Sequence, residues 1–403
     1  MAHILYITYD GLLEPLGQSQ VFQYLKKLAE HHNITLMSYE KAQDWADVPK
    51  RVALEQSVKN VGIRWVPLRY HKSPSALATA YDLLVGSIVG TYLSLRYRIQ
   101  IVHARSYVSS VIALVLKRIF NKRFIFDMRG FWPDEKVDGG HWLPNSRIYR
   151  VAKWFEKKFL THADVVVSLT HAGVSAMQQF PYLKNCLPRF EVITTCTNLA
   201  LFHPMPNAAN VENSEQSFTI GYVGCTGRWY LFDPVVECFK ILLRIRPHTR
   251  FLIINREKHE YIQERLNAYD IPKEQVEIRS ADYSEVPKLM SQMDATIFFT
   301  KQVFSTQAAA PTKLGEFLGC GIPCLTNGGV GDVKEIINNE KVGVIVDEFS
   351  RETLEHALTR FLNLVAEPST KQRCVTAARN RFSLDDGEKK YDHIYQSITE
   401  KDL

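Results

Sequence analysis

At 403 residues the chain exceeds the roughly 250–300 at which a single hydrophobic core stops growing, so two domains of similar size are expected. Hydrophobic residues make up 46% and charged residues 23%, which excludes disordered and fibrous classes. Charge is uneven: residues 1–200 hold 25 Lys/Arg against 15 Asp/Glu (net +10), and residues 201–403 hold 24 against 28 (net −4). The first half is therefore expected to face something anionic, such as a membrane surface, a lipid phosphate or a nucleic acid.

The opening MAHILYITYDGLLEPLG has no basic leader ahead of an apolar core, and a cytoplasmic location is expected. HILYITY reads as a strand, followed by a loop with Pro15 and Gly17 and then a helix whose apolar residues recur at Val21, Tyr24, Leu25 and Leu28. ITLMSYE, IQIVHA, RFIFDMR and ADVVVSLT continue as near-continuous apolar strands separated by helix-length segments, the pattern of a parallel sheet covered on both faces. Residues 83–95, LLVGSIVGTYLSL, fall short of the ~20 residues that span a bilayer and read as a buried helix, with monotopic membrane contact as the minority reading.

Around residues 192–217 the composition turns polar, with Pro204 and Pro206, and 199–217 read as a linker. The α/β rhythm then restarts with FTIGYVG, DPVVECFKILLRI, TRFLIIN, EYIQERLNAY, VEIRSA, SEVPKLMSQM, ATIFFT, PCLTN and VGVIVD. The expected division is an N-terminal domain over 1–198, a second doubly wound domain over 218–375, and a C-terminal helix over 376–403 packing back on the first, with apolar residues at Tyr391, Ile394, Tyr395 and Ile398. Two such domains place strand carboxyl ends at a shared central cleft.

Seven cysteines, odd in number and without C-x-x-C spacing, read as buried apolar residues rather than disulfides or zinc ligands. There is no D-x-D and no His/Cys cluster at ligand spacing, so no metal cofactor is expected. The most informative stretch is APTKLGEFLGCGIPC, residues 310–324. Pro311 suits the first turn of a short helix, and Gly319 and Gly321 end it. Lys313 would bring a cation to the positive end of the helix dipole, an arrangement that an anionic ligand resolves. Glu316 lies on the same face, where a carboxylate can accept two hydrogen bonds from a ribose diol; an intrahelical Lys–Glu pair on a solvated face is the plain alternative.

The segment STQAAAPTKLGEFLGCGIPCLTNGGVGDVKEII resembles the donor-binding segment of family-four glycosyltransferases of the GT-B fold. VITTCTNLALF, TIGYVGCTGRWYLFDPVVECF and RFSLDDGEKKYDHIY extend the resemblance over nearly the whole chain. It implies a retaining transferase that moves a sugar from a nucleoside-diphosphate donor, UDP-linked by expectation, to a glycan or lipid-linked acceptor in surface polysaccharide or glycoconjugate synthesis. It also implies that Glu316 binds the ribose, that Lys313 meets the diphosphate, that Gly17 lets backbone approach it, and that the 280–285 loop from Ser280 reads the base; Thr312 is a further donor-binding candidate. Departures are Ala308, where the family's E-x7-E places its first glutamate, and Cys225, where an arginine is common; Arg228 stands nearby as a shifted cation.

In the first half His103, Arg105, Asp127, Arg129 and Glu135 follow or end strands, and His103, Asp127 and Arg129 are the catalytic candidates, Asp127 for orienting the acceptor hydroxyl. Asp127 paired with Arg129 for structure is the alternative. From Arg96 to Lys158 there are 14 Lys/Arg against 5 Asp/Glu, including RIYRVAKWFEKKF, a basic aromatic-bearing helix that can lie on the inner face of an anionic membrane or grip a lipid diphosphate; a solvated face with a core stripe is the plain alternative. No nucleic-acid partner is expected, because no stacking platform or groove-reading helix appears. Two other readings stand beside the transferase: a non-catalytic nucleotide-sugar-binding partner subunit, motivated by Ala308, and a nucleotide-sugar epimerase.

Overall fold

The computed structural model describes residues 1–205, 218–227 and 229–399 and divides the chain into two units, Met1–Thr194 with Leu384–Leu403, and Thr195–Ser383. The first unit carries a parallel sheet of seven strands: β1 (His3–Thr8), β2 (Asn33–Glu40), β3 (Arg64–Arg69), β4 (Ile101–Arg105), β5 (Arg123–Asp127), β6 (Val165–Ser168) and β7 (Phe190–Val192). The second carries six: β8 (Phe218–Val223), β9 (Thr249–Ile254), β10 (Val276–Arg279), β11 (Ala295–Ile297), β12 (Cys324–Asn327) and β13 (Gly343–Val346). The strand orders are 3-2-1-4-5-6-7 and 10-9-8-11-12-13, so each sheet reverses its winding once, beside β1/β4 and β8/β11. All pairings are parallel, and β4 and β6 are buried throughout, which is why these strands are written in unbroken apolar runs.

Strand β3 was not legible because Pro67 interrupts it. It lies at the sheet edge, where the ladder bond that a proline cannot donate is not needed. The unit boundaries also differ from those expected. Residues 195–202 belong to the second unit, with Phe202 fully buried in its core, so the expected linker begins too early; its remainder from 206 lies outside the described residues. The C-terminal helix expected over 376–403 is two helices, Thr370–Phe382 in the second unit and Leu384–Thr399 in the first. The break comes at Ser383, whose extended backbone caps one helix and bridges to Thr197, while Asp385 and Asp386 suit the positive end of the next.

A further correction concerns residues 83–95. They belong to a 22-residue helix, Ser75–Arg96, that is buried on one face only. Its inner face approaches the sheet through glycines: a Cβ on Gly86 would lie 2.0 Å from the Tyr39 hydroxyl and 2.6 Å from Ile112 Cδ1.

The Leu384–Thr399 helix packs on the Gln23–Leu28 helix of the first unit through Tyr391, whose ring meets Tyr24 edge-on at 5.7 Å. Beneath it lies a buried polar cluster. Tyr391 donates its hydroxyl hydrogen to Asp127 Oδ2 at 3.0 Å, and Tyr395 shares a 2.7 Å hydrogen bond with His103 Nδ1. His103 Nε2 stands 3.5 Å from Asp127 Oδ2, and the Arg129 guanidinium 3.9 Å from Oδ1. Burial opposes the charge on Asp127, but Arg129 and His103 outweigh it and hold the carboxyl below its usual range; burial lowers His103, so the imidazole is neutral at pH 7.

Both shifts act in the same direction. Each group is lowered in the folded chain, so its contribution is complete above the unfolded value, 6.5 for His103 and 3.8 for Asp127, and is lost as pH falls. Urea denaturation should show the first unit weakening as pH drops below 6.5. Tyr391→Phe should cost roughly 1–2 kcal/mol by leaving Asp127 without that donor.

Candidate functional site

In doubly wound sheets ligands gather at the carboxyl ends of strands where the winding reverses. In the second unit that point is occupied by the loop after β8 and the loop after β11. The first runs through Gly224, at φ +108°, and Gly227, at φ +78°, conformations that glycine adopts without strain. Tyr230 folds this loop across the site, pairing back to Gly227 and forward to Thr300 after β11. Asn255, after β9, buttresses it by donating its side-chain N–H to the Gly224 carbonyl at 2.9 Å.

The Thr312–Gly319 helix enters this region, with Pro311 as its N-cap rather than inside its first turn. Residues Lys313 to Gly319 are all buried. Its small residues serve packing: a Cβ on Gly315 would lie 2.4 Å from Thr197 Oγ1 and 3.0 Å from Phe382, and one on Gly319 would lie 2.7 Å from the Phe202 carbonyl. The helix is thus pressed between the 195–202 segment and the Thr370–Phe382 helix, and its first turn has no side-chain cap.

Lys313 is 7% exposed, and its Nζ finds no hydrogen-bond partner among the described residues. The ammonium sits 3.5 Å from the centroid of the Tyr230 ring, with Tyr222 at 5.3 Å and Phe298 at 5.5 Å. A Cβ on Gly224 would stand only 3.2 Å from it. Aromatic faces attract a cation but replace little of its lost hydration. Burial accordingly lowers Lys313 to about 7.

Glu316 is 8% exposed and is raised to about 7 by burial, against the opposing pull of Tyr283 and Lys313. Tyr283 donates to its Oε1 at 3.4 Å and rests on Phe202. The two charges of the helix are therefore not a solvated surface pair; both are withdrawn from water. Thr226 Oγ1 and Thr300 Oγ1 are also buried without a hydrogen-bond partner among the described residues. Orphaned buried polar atoms are rare enough to need a reason, and here three of them lie on paired loops and the helix they touch.

Thr312 is half-buried at the first position of the helix. Ser280 is exposed at the end of β10 and contacts the Asn255 carbonyl and His259 at 3.3 Å each. Arg228 lies outside the described residues. Gly17 is buried in the first unit with a helical φ of −61°, and a Cβ there would meet the Gly11 carbonyl at 2.1 Å. Packing against the 11–12 backbone is sufficient reason for that glycine. Ala308 is fully buried, so a carboxylate at that position would be held in the core.

Of the catalytic candidates, His103 and Asp127 are each 1% exposed and engaged by Tyr395 and Tyr391. Arg129, in the left-handed region at φ +59°, lies partly buried beside them. Arg105 is buried and paired with Asp10, and Glu135 is raised to about 7 by burial.

Sequence reasoning missed Tyr283, Tyr230, Thr226, Thr300 and Lys258. Lys258 is an exposed cation after β9 whose Nζ donates to the Thr226 carbonyl at 3.3 Å, beside Gly227. Tyr283 lies in the very loop singled out from Ser280, and an aromatic there was its only signal. The others depend on loop contacts that no spacing encodes.

Two family models match the chain: one described as "Glycosyl transferase 4-like domain" over residues 18–182, and one as "Glycosyl transferases group 1" over residues 206–381. No curated protein sequence matches. Among solved structures, sucrose-phosphate synthase from Thermosynechococcus elongatus superposes with a TM-score of 0.72 at 14% identity, covering 100% of both chains. A glycosyltransferase from Rickettsia africae gives 0.72 at 16% identity, covering 99% of this chain and 98% of that one. HepE from Anabaena, in complex with UDP and glucose, gives 0.66 at 13% identity, covering 98% and 100%. With one glycosyltransferase model on each half and this fold, the chain belongs to the GT-B glycosyltransferases and resembles family four among them.

Proposed function

We propose that this glycosyltransferase takes its sugar from a nucleoside-diphosphate donor, UDP-linked, bound in the second unit, and transfers it with retention to a glycan or lipid-linked acceptor in surface polysaccharide or glycoconjugate synthesis. The observation that carries the reading is Lys313. A buried cation with no hydrogen-bond partner among the described residues, at a strand-end loop rich in glycine, is stabilised when an anion arrives. The superposable HepE structure that holds UDP and glucose supports the choice of nucleotide.

In the proposed reaction the bond from the sugar's anomeric carbon to the diphosphate oxygen breaks. The acceptor oxygen bonds that carbon on the same face, and its proton passes to the departing phosphate. The protein's task is then to neutralise the leaving diphosphate and to position the donor. Lys313 does the first with the uncapped turn of the Thr312–Gly319 helix, aided by Lys258 beside the Gly224–Gly227 loop, and no metal is invoked. Glu316, oriented by Tyr283, accepts the ribose hydroxyls. His103 and Asp127, held by Tyr395 and Tyr391, keep the strand ends of the first unit in place and do not touch substrate in this reading. The protein is proposed to work in the cytoplasm, in contact with the inner face of an anionic membrane.

Titration calorimetry with UDP tests the assignment. Lys313→Met should weaken binding by roughly 1–3 kcal/mol, as loss of a charged hydrogen bond does; unchanged affinity would remove the phosphate role. The same substitution should raise the melting temperature. Because Lys313 is lowered from 10.5 to about 7, the cost of burying its charge is complete below pH 7 and gone above 10.5. The gain should therefore be larger at pH 6 than at pH 9.

Binding should also peak near neutrality. Above about 7 the free Lys313 loses its proton and affinity falls; below about 7 Glu316 is protonated and accepts fewer bonds. Lys313→Met should flatten the alkaline limb and Glu316→Gln the acid limb. Tight UDP-sugar binding with no turnover on any acceptor would point to a partner subunit, and release of an epimerised free sugar to an epimerase.

A further inference from the structure

The Ser75–Arg96 helix, bound to its sheet by one face, presents a continuous apolar ridge on the other. Leu77, Tyr81, Leu84, Ile88, Tyr92 and Leu95 recur at intervals of three and four residues, and each is more than half exposed. Such a contiguous row is unusual on a soluble surface. By length and composition this helix is apolar enough to cross a bilayer. Its inner face, however, is committed to the domain. Asp82 accepts hydrogen bonds from the Tyr9 hydroxyl at 2.8 Å and the His71 backbone at 3.1 Å, and Gly86 presses against Tyr39.

The ridge does not stand alone. The connections β3 to β4, β4 to β5 and β5 to β6 all step the same way across the sheet, which places the Ser75–Arg96, Ser106–Phe120 and Arg147–His162 helices side by side on one face. On the last of these, Ile148, Val151 and Trp154 are exposed among Arg147, Arg150 and Lys157, which are exposed as well. Ile119 and Arg118 add an exposed pair at the end of the middle helix. Between them the three helices contain two acidic residues, Asp82 and Glu156, and both are buried. The outward face thus carries large apolar side chains and cations without exposed anions.

We propose that this three-helix face docks the protein on an anionic membrane, with the Ser75–Arg96 helix lying along the headgroup boundary rather than spanning the bilayer. The inference deepens the membrane contact proposed above and names its surface. Two features select a bilayer over a second copy of the chain. Self-association through this face would oppose like charges, whereas anionic lipid headgroups complement them. The small residues that let helices approach closely, Gly86 and Gly90, are spent inward, against Tyr39, Ile112 and Leu116; the outward residues are bulky and suit loosely packed acyl chains.

The test uses the full-length protein in vesicle flotation, with phosphatidylcholine alone and with phosphatidylcholine containing phosphatidylglycerol, alongside light scattering and UDP calorimetry. The unaltered protein should float with the anionic vesicles. Leu84→Glu/Ile88→Glu should weaken partitioning at least about tenfold, since two side chains of this size leave the apolar phase. Arg150→Glu/Lys157→Glu should abolish the preference for anionic over neutral vesicles. Circular dichroism and UDP affinity should be unchanged in both, because every substituted residue is exposed and lies in the first unit. The proposal is overturned if the unaltered protein stays with the soluble fraction, if the ridge variant floats equally well, or if light scattering shows a dimer that the ridge variant dissociates. Loss of UDP binding in the unaltered protein, with flotation intact, would count against the donor reading and leave the docking surface standing.

Discussion

An interior strand of a parallel sheet bonds to neighbours on both edges and has to be covered on both faces, because one bare face of such apolar strands would meet water along its length. In this chain that requirement decides where polar chemistry can occur. Strands such as β4 and β6 are buried throughout, so charged groups gather at their carboxyl ends or in the loops beyond. Even there, burial is deep. His103 and Asp127, on β4 and β5, are closed over by the Leu384–Thr399 helix and find their partners in its tyrosines. The second unit leaves its strand ends to glycine-rich loops, and those loops bring Tyr230 over Lys313.

Lys313 shows how a site is kept ready by being left incomplete. Three aromatic rings surround its ammonium and no carboxylate among the described residues pairs with it, so the fold bears the cost of an unneutralised charge that an anionic ligand would relieve. Glu316, three residues on, is withdrawn from water to a similar degree and titrates near the same pH. The glycines of this helix serve its packing against Thr197, Phe202 and Phe382, and that packing is what holds the two charges in place.

The first unit shows the opposite use of glycine and bulk on a single helix. Ser75–Arg96 turns Gly86 and Gly90 toward the sheet and its largest apolar side chains away from it. A helix drawn in only to fill a core would be arranged the other way. Read by length alone, residues 83–95 were too few to span a bilayer, and burial was the natural expectation. The helix proved longer, and its apolar residues are divided between two faces.

Much of the architecture was written locally. The alternation of apolar strands with amphipathic helices, twice over, determined two doubly wound domains, and the resemblance around Lys313 and Glu316 located the helix that carries them. A break at Ser383 and an edge strand through Pro67 were missed because each depends on position in the tertiary structure: a proline is tolerable only where no ladder bond is required, and Ser383 is extended where it bridges to Thr197. Spacing placed Lys313 and Glu316 on one helical face but could not say whether that face was wet or dry. Only the tertiary structure, by packing the helix against segments distant in sequence, removed both charges from water, drew Tyr283 and Tyr230 to them, and gave His103 and Asp127 to the C-terminal helix, because burial is a property of the whole fold and not of any stretch of chain.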